Sequence, residues 1–306
     1  MRTGRTEVFP RRSPPSRSGF AMPIDVRAAL AAAPRRAEIA WNHKDVQLYH
    51  LGLGAGIPAT DPDELRYTLE SRLQVLPSFA TVAGAGTAAF GGMGADGIDV
   101  DLAAVLHGGQ SVRVHRPIPV TGRAVQTSKV VAVHDKGKAA VIVLRTEAHG
   151  DEGPLWTNDA QIFVRGEGGF GGERGPSDRL ALPDRAPDRT AVRPIREDQA
   201  LLYRLSGDWN PLHADPAFAE LAGFDRPILH GLCTYGMVLK AVTDTLLDGD
   251  VSRIAAYRTR FAGVVLPGET LRIRMWRVAD GRVQVAVTAA GRDDAPVLAD
   301  TLVEHS

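Results

Sequence analysis

Residues 203–231 read YRLSGDWNPLHADPAFAELAGFDRPILHG, and the rest of the chain is organised around them. Within this stretch the acid Asp208 and the histidine His213 stand close together, with Gly207 before them and Pro211 between them. Glycine and proline disfavour a regular helix, so the pattern predicts a loop. A loop on a rigid scaffold can hold an acid and an imidazole against one water, as acid–base catalysis requires. An aspartate that caps a helix and a histidine on the surface would be the alternative explanation.

An apolar run at helical spacing follows this loop. It starts at Gly231 and predicts a buried helix through five apolar positions: Leu232, Tyr235, Leu239, Val242 and Leu246. The start of a helix offers free N–H groups, and a glycine there lets a carbonyl approach closely. The Gly231 N–H is therefore a candidate donor to a thioester carbonyl or an oxyanion, although a tight turn would also explain this glycine. Cys233 is expected to be a core residue of the same helix.

The two halves of the chain repeat one order of predicted elements. In the first half, residues 111–166 alternate apolar and polar residues between short turns, which predicts an antiparallel meander. In the second half, a helical, loop-rich part (194–248) precedes four predicted strands, at 253–265, 269–279, 282–291 and 296–304. The simplest interpretation is two copies of one α+β unit, each with a sheet around a helix.

Smaller correspondences support the two copies. Residues 99–110 (DVDLAAVLHGGQ) predict a short helix that ends in a glycine turn at 106–108, Leu-His-Gly. The same tripeptide recurs at 229–231, before the second set of strands.

Composition divides the chain into four predicted parts. Residues 1–23 are rich in Arg, Pro and Ser and predict a disordered tail, without the apolar segment of a secretory signal. The first repeat is expected over 24–165 and the second over 191–306. Between them, residues 166–190 are rich in Gly, Pro, Asp and Arg and predict a surface linker.

Charge and composition exclude several functional classes. Lys+Arg and Asp+Glu number 36 each, so nothing favours binding to nucleic acid or to an anionic membrane surface. The single cysteine excludes an intrachain disulfide and a zinc site of the CxxC type, and it suits a cytoplasmic location. No apolar run is long enough to span a membrane. The chain ends Val-Glu-His-Ser, which is not a peroxisomal address.

Cofactor motifs are weak. Residues 84–89 (GAGTAA) formally fit a dinucleotide fingerprint, but a meander follows instead of the alternating strands and helices of such a domain. The nine histidines form no HExxH motif. We therefore expect neither a redox cofactor nor a metal.

The stretch from Tyr203 to His213 resembles the hydratase 2 motif of MaoC-like (R)-specific enoyl-CoA hydratases. The resemblance covers most of residues 24–304 and is greatest to the two-domain type found in peroxisomal multifunctional enzymes. It implies an α+β double hot-dog fold, in which each half is a long helix wrapped by an antiparallel sheet. The first half of such proteins usually lacks the catalytic motif and makes room for the acyl chain. Nothing like GDxNPxH occurs here before residue 200.

The resemblance also implies roles for individual residues. Asp208 and His213 would activate the water and deliver a proton to C2, Asn210 would orient them, and the Gly231 N–H would polarise the thioester carbonyl. The expected substrate contacts are the motif residues Trp209, Pro211 and Leu212, together with His107, Gly108, Lys136 and Phe261. Lys136 lies in an Asp-Lys-Gly turn between two predicted strands, where it would face the CoA phosphates or, alternatively, only solvent.

These expectations converge on reversible hydration of trans-2-enoyl-CoA to (3R)-3-hydroxyacyl-CoA, with a fatty or sterol-derived acyl group. Two alternatives stay open. One is a dehydratase or thioesterase of related fold, and the other is a non-catalytic acyl-CoA-binding subunit. A homodimer is expected, because hot-dog sheets often associate edge to edge.

Overall fold

The structure, a computed structural model, describes residues 24–84, 94–101, 104–177 and 179–306. The predicted tail over 1–23 and most of the Gly-rich motif over 84–89 lie outside these residues. Within the described ranges, no helix is both long enough and apolar enough to cross a membrane.

In the described residues, ten strands form one antiparallel sheet. They are β1 (Arg35–Trp41), β2 (Val105–Val114), β3 (Gly122–Asp135), β4 (Ala139–Gly150), β5 (Gly153–Arg165), β6 (Arg189–Pro194), β7 (Ile254–Phe261), β8 (Thr270–Ala279), β9 (Arg282–Ala289) and β10 (Ala295–His305). Their order across the sheet is β1-β3-β4-β5-β2-β7-β10-β9-β8-β6.

This order is the same five-strand pattern written twice, joined where β2 pairs with β7. The predicted meanders and the double hot-dog arrangement are therefore confirmed. The domain boundaries at 165, 166–190 and 191 stay a prediction. The segment between β5 and β6 runs along the outside of the sheet, where the side chains of Gln284 and Trp276 donate to the carbonyls of Ala181 and Arg185.

The edge strands β1 and β6 were not predicted from the sequence. Each pairs with a single neighbour, β3 or β8. In β1 only Ile39 and Trp41 are buried, and in β6 only Ala191. So little burial leaves no alternation of apolar and polar residues to detect.

Six α-helices lie in the described residues: α1 (Val26–Ala31), α2 (His43–Gly52), α3 (Pro62–Leu65), α4 (Gln199–Tyr203), α5 (Pro216–Leu221) and α6 (Gly231–Leu246). Helix α6 is the predicted buried helix and begins at Gly231, as expected. Its apolar residues, Cys233 included, join the main core. Its one cation, Lys240, is also buried and binds Glu64 at 2.7 Å and Asp244 at 2.9 Å. This ion pair ties α6 to the first half of the chain.

The predicted short helix over 99–110 is wrong at its C-terminal end. Strand β2 starts at Val105, and the expected glycine turn is a β-bulge between His107 and Gly109. Local spacing favours a helix there, but β2 lies between β5 and β7, and pairing on both sides decides the conformation. The proposed match between the two Leu-His-Gly tripeptides is wrong as well, because the first lies in a strand and the second ends at the first residue of α6.

A buried histidine makes the fold sensitive to acid. His50 is 0% exposed, its Nδ1 donates to the Tyr67 carbonyl at 2.9 Å, and its Nε2 accepts from the Leu76 N–H at 3.3 Å. Burial lowers the pKa of His50 from 6.5 to about 4. The unfolded chain therefore binds a proton between these values that the folded protein does not, so stability falls as the pH falls through this window.

We expect the His50→Gln variant, which cannot ionise, to have a flatter dependence of stability on pH between pH 6.5 and 4. In the wild type, His50 alone should account for about 3 kcal/mol of lost unfolding free energy across that window. Urea denaturation at a series of pH values measures the slope independently of any overall loss of stability. The exposed His149→Gln variant is the control and should keep the wild-type slope. An unchanged slope in His50→Gln would contradict the assignment.

Candidate active site

The loop that follows α4 carries the motif. Helix α4 continues as a short 3-10 turn that ends at Gly207, whose φ of 118° lies in the left-handed region that favours glycine. A second 3-10 turn, Pro211–His213, begins with proline. The Asn210 side chain caps this turn by accepting the Leu212 N–H at 3.0 Å. The predicted break in helical structure is therefore built from Gly207 and Pro211, and Asn210 orients the turn that carries His213.

The ring of His213 is fixed by the backbone. Its Nδ1 lies 2.9 Å from the Ile228 carbonyl. A carbonyl can only accept, so Nδ1 carries the hydrogen and Nε2 keeps a lone pair. Burial lowers the pKa of His213, while the Ile228 carbonyl and the Asp208 carboxylate act in the opposite direction. His213 is therefore suited to start a reaction as a neutral proton acceptor.

Asp208 lies near the ring of His213. Its carboxylate accepts the backbone N–H of Asn210 at 3.2 Å. One titratable atom each of Asp208, His213 and His230 lies within 4.8 Å of the other two. An acid and a base at this separation can contact one small molecule between them.

His230 was missed as a functional residue, since the sequence analysis took it only as part of a turn. Its Nε2–H donates to the backbone carbonyl of Asp208 at 3.2 Å, and its ring centroid lies 3.8 Å from that of His213. Burial, followed by the charge of His213, lowers the pKa of His230 to about 2. A neutral His230 thus holds the backbone of Asp208 against the His213 ring. Its place directly before Gly231 was the only signal in the sequence.

Gly231 lies next to this cluster, at the start of α6. It is the first residue of the helix, and the side chain of the preceding residue, His230, makes no capping hydrogen bond. The Gly231 N–H is one of the groups that have no partner within a helix. A Cβ at Gly231 would lie 3.1 Å from the ring of Phe261, so glycine keeps the approach to this N–H open.

The first half of the chain reaches the site through β2. The ring of His107 packs edge-on against Phe261, with 4.8 Å between the ring centroids. Burial lowers the pKa of His107 to about 4, and the negative charge of Asp208 opposes this shift. His107 therefore lies close enough to Asp208 for the carboxylate charge to affect its pKa. The pairing of β2 with β7 brings residues of both halves of the chain to one site.

The other predicted substrate contacts lie around this centre or away from it. Gly108 lies in the β2 bulge, where a Cβ would approach the Gln161 carbonyl to 3.3 Å. Trp209 is 56% exposed, and the Arg204 guanidinium lies 5.0 Å from its ring. Pro211 and Leu212 belong to the turn that carries His213.

Lys136 is not brought into the site. It lies in the turn between β3 and β4, at the same end of the sheet as His107, and its Nζ donates to the Arg174 carbonyl. Three strand steps separate β3 from β2, which is about 14 Å at the usual strand spacing. Only an extended ligand could contact both His107 and Lys136.

The three clustered side chains, Asp208, His213 and His230, could either transfer a proton or bind a metal cation. His213 and His230 each donate one ring N–H to a carbonyl, which leaves each ring one lone pair. Such an arrangement suits a general base and is also typical of histidine metal ligands. The expectation of a metal-free site therefore stays a prediction, to be tested with a chelator.

Comparison with known proteins gives matches along most of the chain. The MFE-2 hydratase 2 N-terminal domain matches residues 40–166, and the MaoC like domain matches residues 179–295. The enoyl-CoA hydratase ChsH3 of Mycobacterium tuberculosis is 50% identical over 285 residues, which cover 90% of this chain and 97% of that protein.

Two solved structures extend the similarity to three dimensions. A MaoC-like dehydratase from Phytophthora capsici has a TM-score of 0.82 and 29% identity, over 92% of this chain and 99% of its own. The full-length peroxisomal multifunctional enzyme type 2 of Drosophila melanogaster has a TM-score of 0.75 and 32% identity, over 89% of this chain and 48% of its own.

Proposed function

This chain belongs to the MaoC-like hydratase 2 family, and from that premise we propose that it reversibly hydrates trans-2-enoyl-CoA to (3R)-3-hydroxyacyl-CoA. The observation that carries the proposal is the grouping of Asp208 and His213 beside the free N–H at the start of α6. An acid–base pair and a hydrogen-bond donor to a carbonyl are the groups that addition of water to an enoyl thioester needs.

The proposed reaction adds the oxygen of one water to C3 and a proton to C2. Asp208 and His213 hold the water, take one proton from it and return one to C2, so the pair ends as it began. Negative charge develops on the thioester oxygen as the C3–O bond forms, and the Gly231 N–H stabilises it. Interacting groups share their protons, so the acid and base roles belong to the pair and not to one residue.

Other residues hold the acid–base pair in position or contact the substrate. Neutral His230 supports Asp208 through its backbone carbonyl and His213 through ring packing. His107 and Phe261 are proposed to line the thioester end of the substrate, with Gly108, Trp209, Pro211 and Leu212 around it. Lys136 is proposed to meet the CoA phosphates at the far end of an extended ligand.

The direct test is loss of the conjugated enoyl-thioester absorbance with crotonyl-CoA and with a long-chain trans-2-enoyl-CoA. We expect hydration of both, and a product that an (R)-specific 3-hydroxyacyl-CoA dehydrogenase oxidises. Release of free CoA thiol would instead indicate a thioesterase. Activity should survive treatment with a chelator, and loss of activity that zinc restores would assign the histidine cluster to a metal.

A cellular location and an assembly state complete the proposal. Several relatives are named as peroxisomal proteins, whereas the single buried thiol of Cys233 suits a reducing cytoplasm, which we propose as the location. A homodimer likewise stays a prediction.

A further inference from the structure

The segment that follows β5 folds back along the turn between β3 and β4. We call this segment, residues 166–175 (GEGGFGGERG), the glycine strap. The Gly166 N–H donates to the Lys138 carbonyl at 3.0 Å. A Cβ at Gly168 would lie 2.4 Å from the backbone nitrogen of Ala139, so only glycine allows this close approach. The first part of the predicted linker is therefore attached to the sheet.

The glycine strap binds the carboxylate of Asp135, the last residue of β3, which is 6% exposed. Oδ1 accepts the N–H groups of Gly137 at 2.7 Å and Gly169 at 2.8 Å, and Oδ2 accepts that of Gly171 at 2.8 Å. These hydrogen bonds, that of Gly169 foremost, hold the pKa of Asp135 below its usual range. Backbone N–H groups that converge in this way form an anion site, which the charged carboxylate of the protein itself occupies.

The glycine strap lies at the end of the sheet that also carries His107. One row of register partners crosses the first-half sheet from β3 to β2: Asp135, Ala140, Val164 and Val105. His107 follows two residues later on β2, and Lys136 directly follows Asp135. The ring of Phe170, in the strap, packs against the apolar cluster to which Ala140 and Val164 belong. The strap therefore lies on the side where the CoA part of the substrate is proposed to extend.

The glycine strap also holds the side chain of Lys136. The backbone N–H of Lys136 donates to the Ala139 carbonyl at 2.8 Å, and its Nζ donates to the carbonyl of Arg174 in the strap. A lysine ammonium has three N–H groups, so two stay available to an anion. A long side chain loses conformational entropy when it binds a ligand, and the contact with the strap reduces that loss because the side chain is already ordered.

We propose that Asp135 is a positioning residue for CoA binding: it holds the glycine strap so that the Arg174 carbonyl orders the Lys136 ammonium for a CoA phosphate. The proposal rests on the contact between Lys136 and CoA proposed above. The negative charge of Asp135 would by itself repel a phosphate. Only its hydrogen bonds to the strap can therefore make Asp135 favourable for CoA binding.

The test compares crotonyl-CoA with crotonyl-N-acetylcysteamine, a thioester that lacks the nucleotide and the phosphates. Asp135→Asn replaces one carboxylate oxygen by an NH2 group, which cannot accept the N–H groups of the strap. We expect KM for crotonyl-CoA to rise about tenfold, which is typical of one charge-assisted hydrogen bond. The kcat for crotonyl-CoA and the kcat/KM for crotonyl-N-acetylcysteamine should stay within about twofold of the wild type, since only uniform binding is lost. Partial unfolding would lower activity on both substrates alike.

A double variant shows whether Asp135 acts through Lys136. Lys136→Ala should raise KM for crotonyl-CoA by a similar factor, and Asp135→Asn should add little in that background, because residues that act as one unit are non-additive. A second, equal rise would overturn the inference and leave the contact of Lys136 with CoA standing. If Lys136→Ala leaves KM unchanged, that contact and the inference both fail, while hydration by the wild type stands.

Glu173→Gln is the matched control, because it removes one negative charge from an exposed side chain of the same strap. On charge alone, loss of either acid should favour phosphate binding and lower KM. A rise in KM in Asp135→Asn, but not in Glu173→Gln, therefore assigns the effect to the hydrogen bonds that hold the strap. Equal KM values in these two variants would overturn the inference.

Gly171→Ala decides the matter should Asp135→Asn not fold. Gly171 has φ 79°, in the left-handed region, and a Cβ there would meet no described atom within 4 Å. Alanine thus strains the strap without crowding it, and KM for crotonyl-CoA alone should rise. An unchanged KM would contradict the inference. If the wild type hydrates neither thioester, the proposed function fails, and the inference fails with it.

Discussion

Asp208→Asn is expected to lower kcat for enoyl-CoA hydration by about 10³-fold, within the range of about 10² to 10⁴ that general acid–base groups contribute. Asparagine keeps the shape of the side chain and the oxygen that accepts the Asn210 N–H, so the loop should stay folded. It removes the charge and the capacity to exchange a proton with the water. Steady-state kinetics with crotonyl-CoA, together with the melting temperature Tm, measures the effect.

The exposed residue Asp225 supplies a matched control in the same loop region. Asp225→Asn makes the same change of charge and should leave kcat within twofold or so of the wild type, as is usual for surface substitutions of small energetic effect. If both variants lose activity alike, the loss reflects the charge of the region and not a role in proton transfer. An active Asp208→Asn enzyme with normal Tm would remove Asp208 from the mechanism.

A double variant tests whether Asp208 and His213 act as one unit. His213→Gln should be about as damaging as Asp208→Asn, and the double variant should lose little more, because residues that act as a unit are strongly non-additive. Independent roles would instead multiply the two losses. The short distances within the cluster favour the first outcome.

The catalytic loop and α6 could be predicted from the sequence because their signals are local. Gly207 and Pro211 interrupt a helix wherever they occur, and an apolar run at helical spacing that begins at Gly231 has one natural conformation. The strands of the two meanders show a similarly local signal, the alternation of apolar and polar residues. Because the same order of predicted elements occurs in both halves of the chain, the sequence also predicted two copies of one unit.

Features that depend on distant pairing could not be predicted in this way. The segment around His107 has helical spacing, yet two neighbouring strands make it part of β2. His230 shows no motif of its own, and its role follows from the carbonyl of Asp208 and the ring of His213, which only the folded chain brings near.

Gly231→Pro is expected to lower kcat by about 10² to 10³-fold relative to Gly231→Ala, as removal of one oxyanion donor does in other enzymes. Gly231 is the first residue of α6, the position where a helix tolerates proline best, because the missing N–H has no partner in the helix. The preceding residue, His230, has φ −58° and ψ 133°, which is the extended conformation that proline favours before it. Proline therefore deletes the N–H while the helix remains.

Alanine is the required control, because either substitution places a Cβ 3.1 Å from the ring of Phe261. Steric crowding should affect both variants, and Phe261→Leu in each background should relieve it. The N–H is absent only from the proline variant, where the ring Cδ takes the place of the hydrogen, so the difference between the two variants measures the loss of this donor position to the thioester oxygen. If proline and alanine give equal kcat with crotonyl-CoA, the Gly231 N–H does not stabilise the transition state, and the carbonyl must find its donor elsewhere in the site.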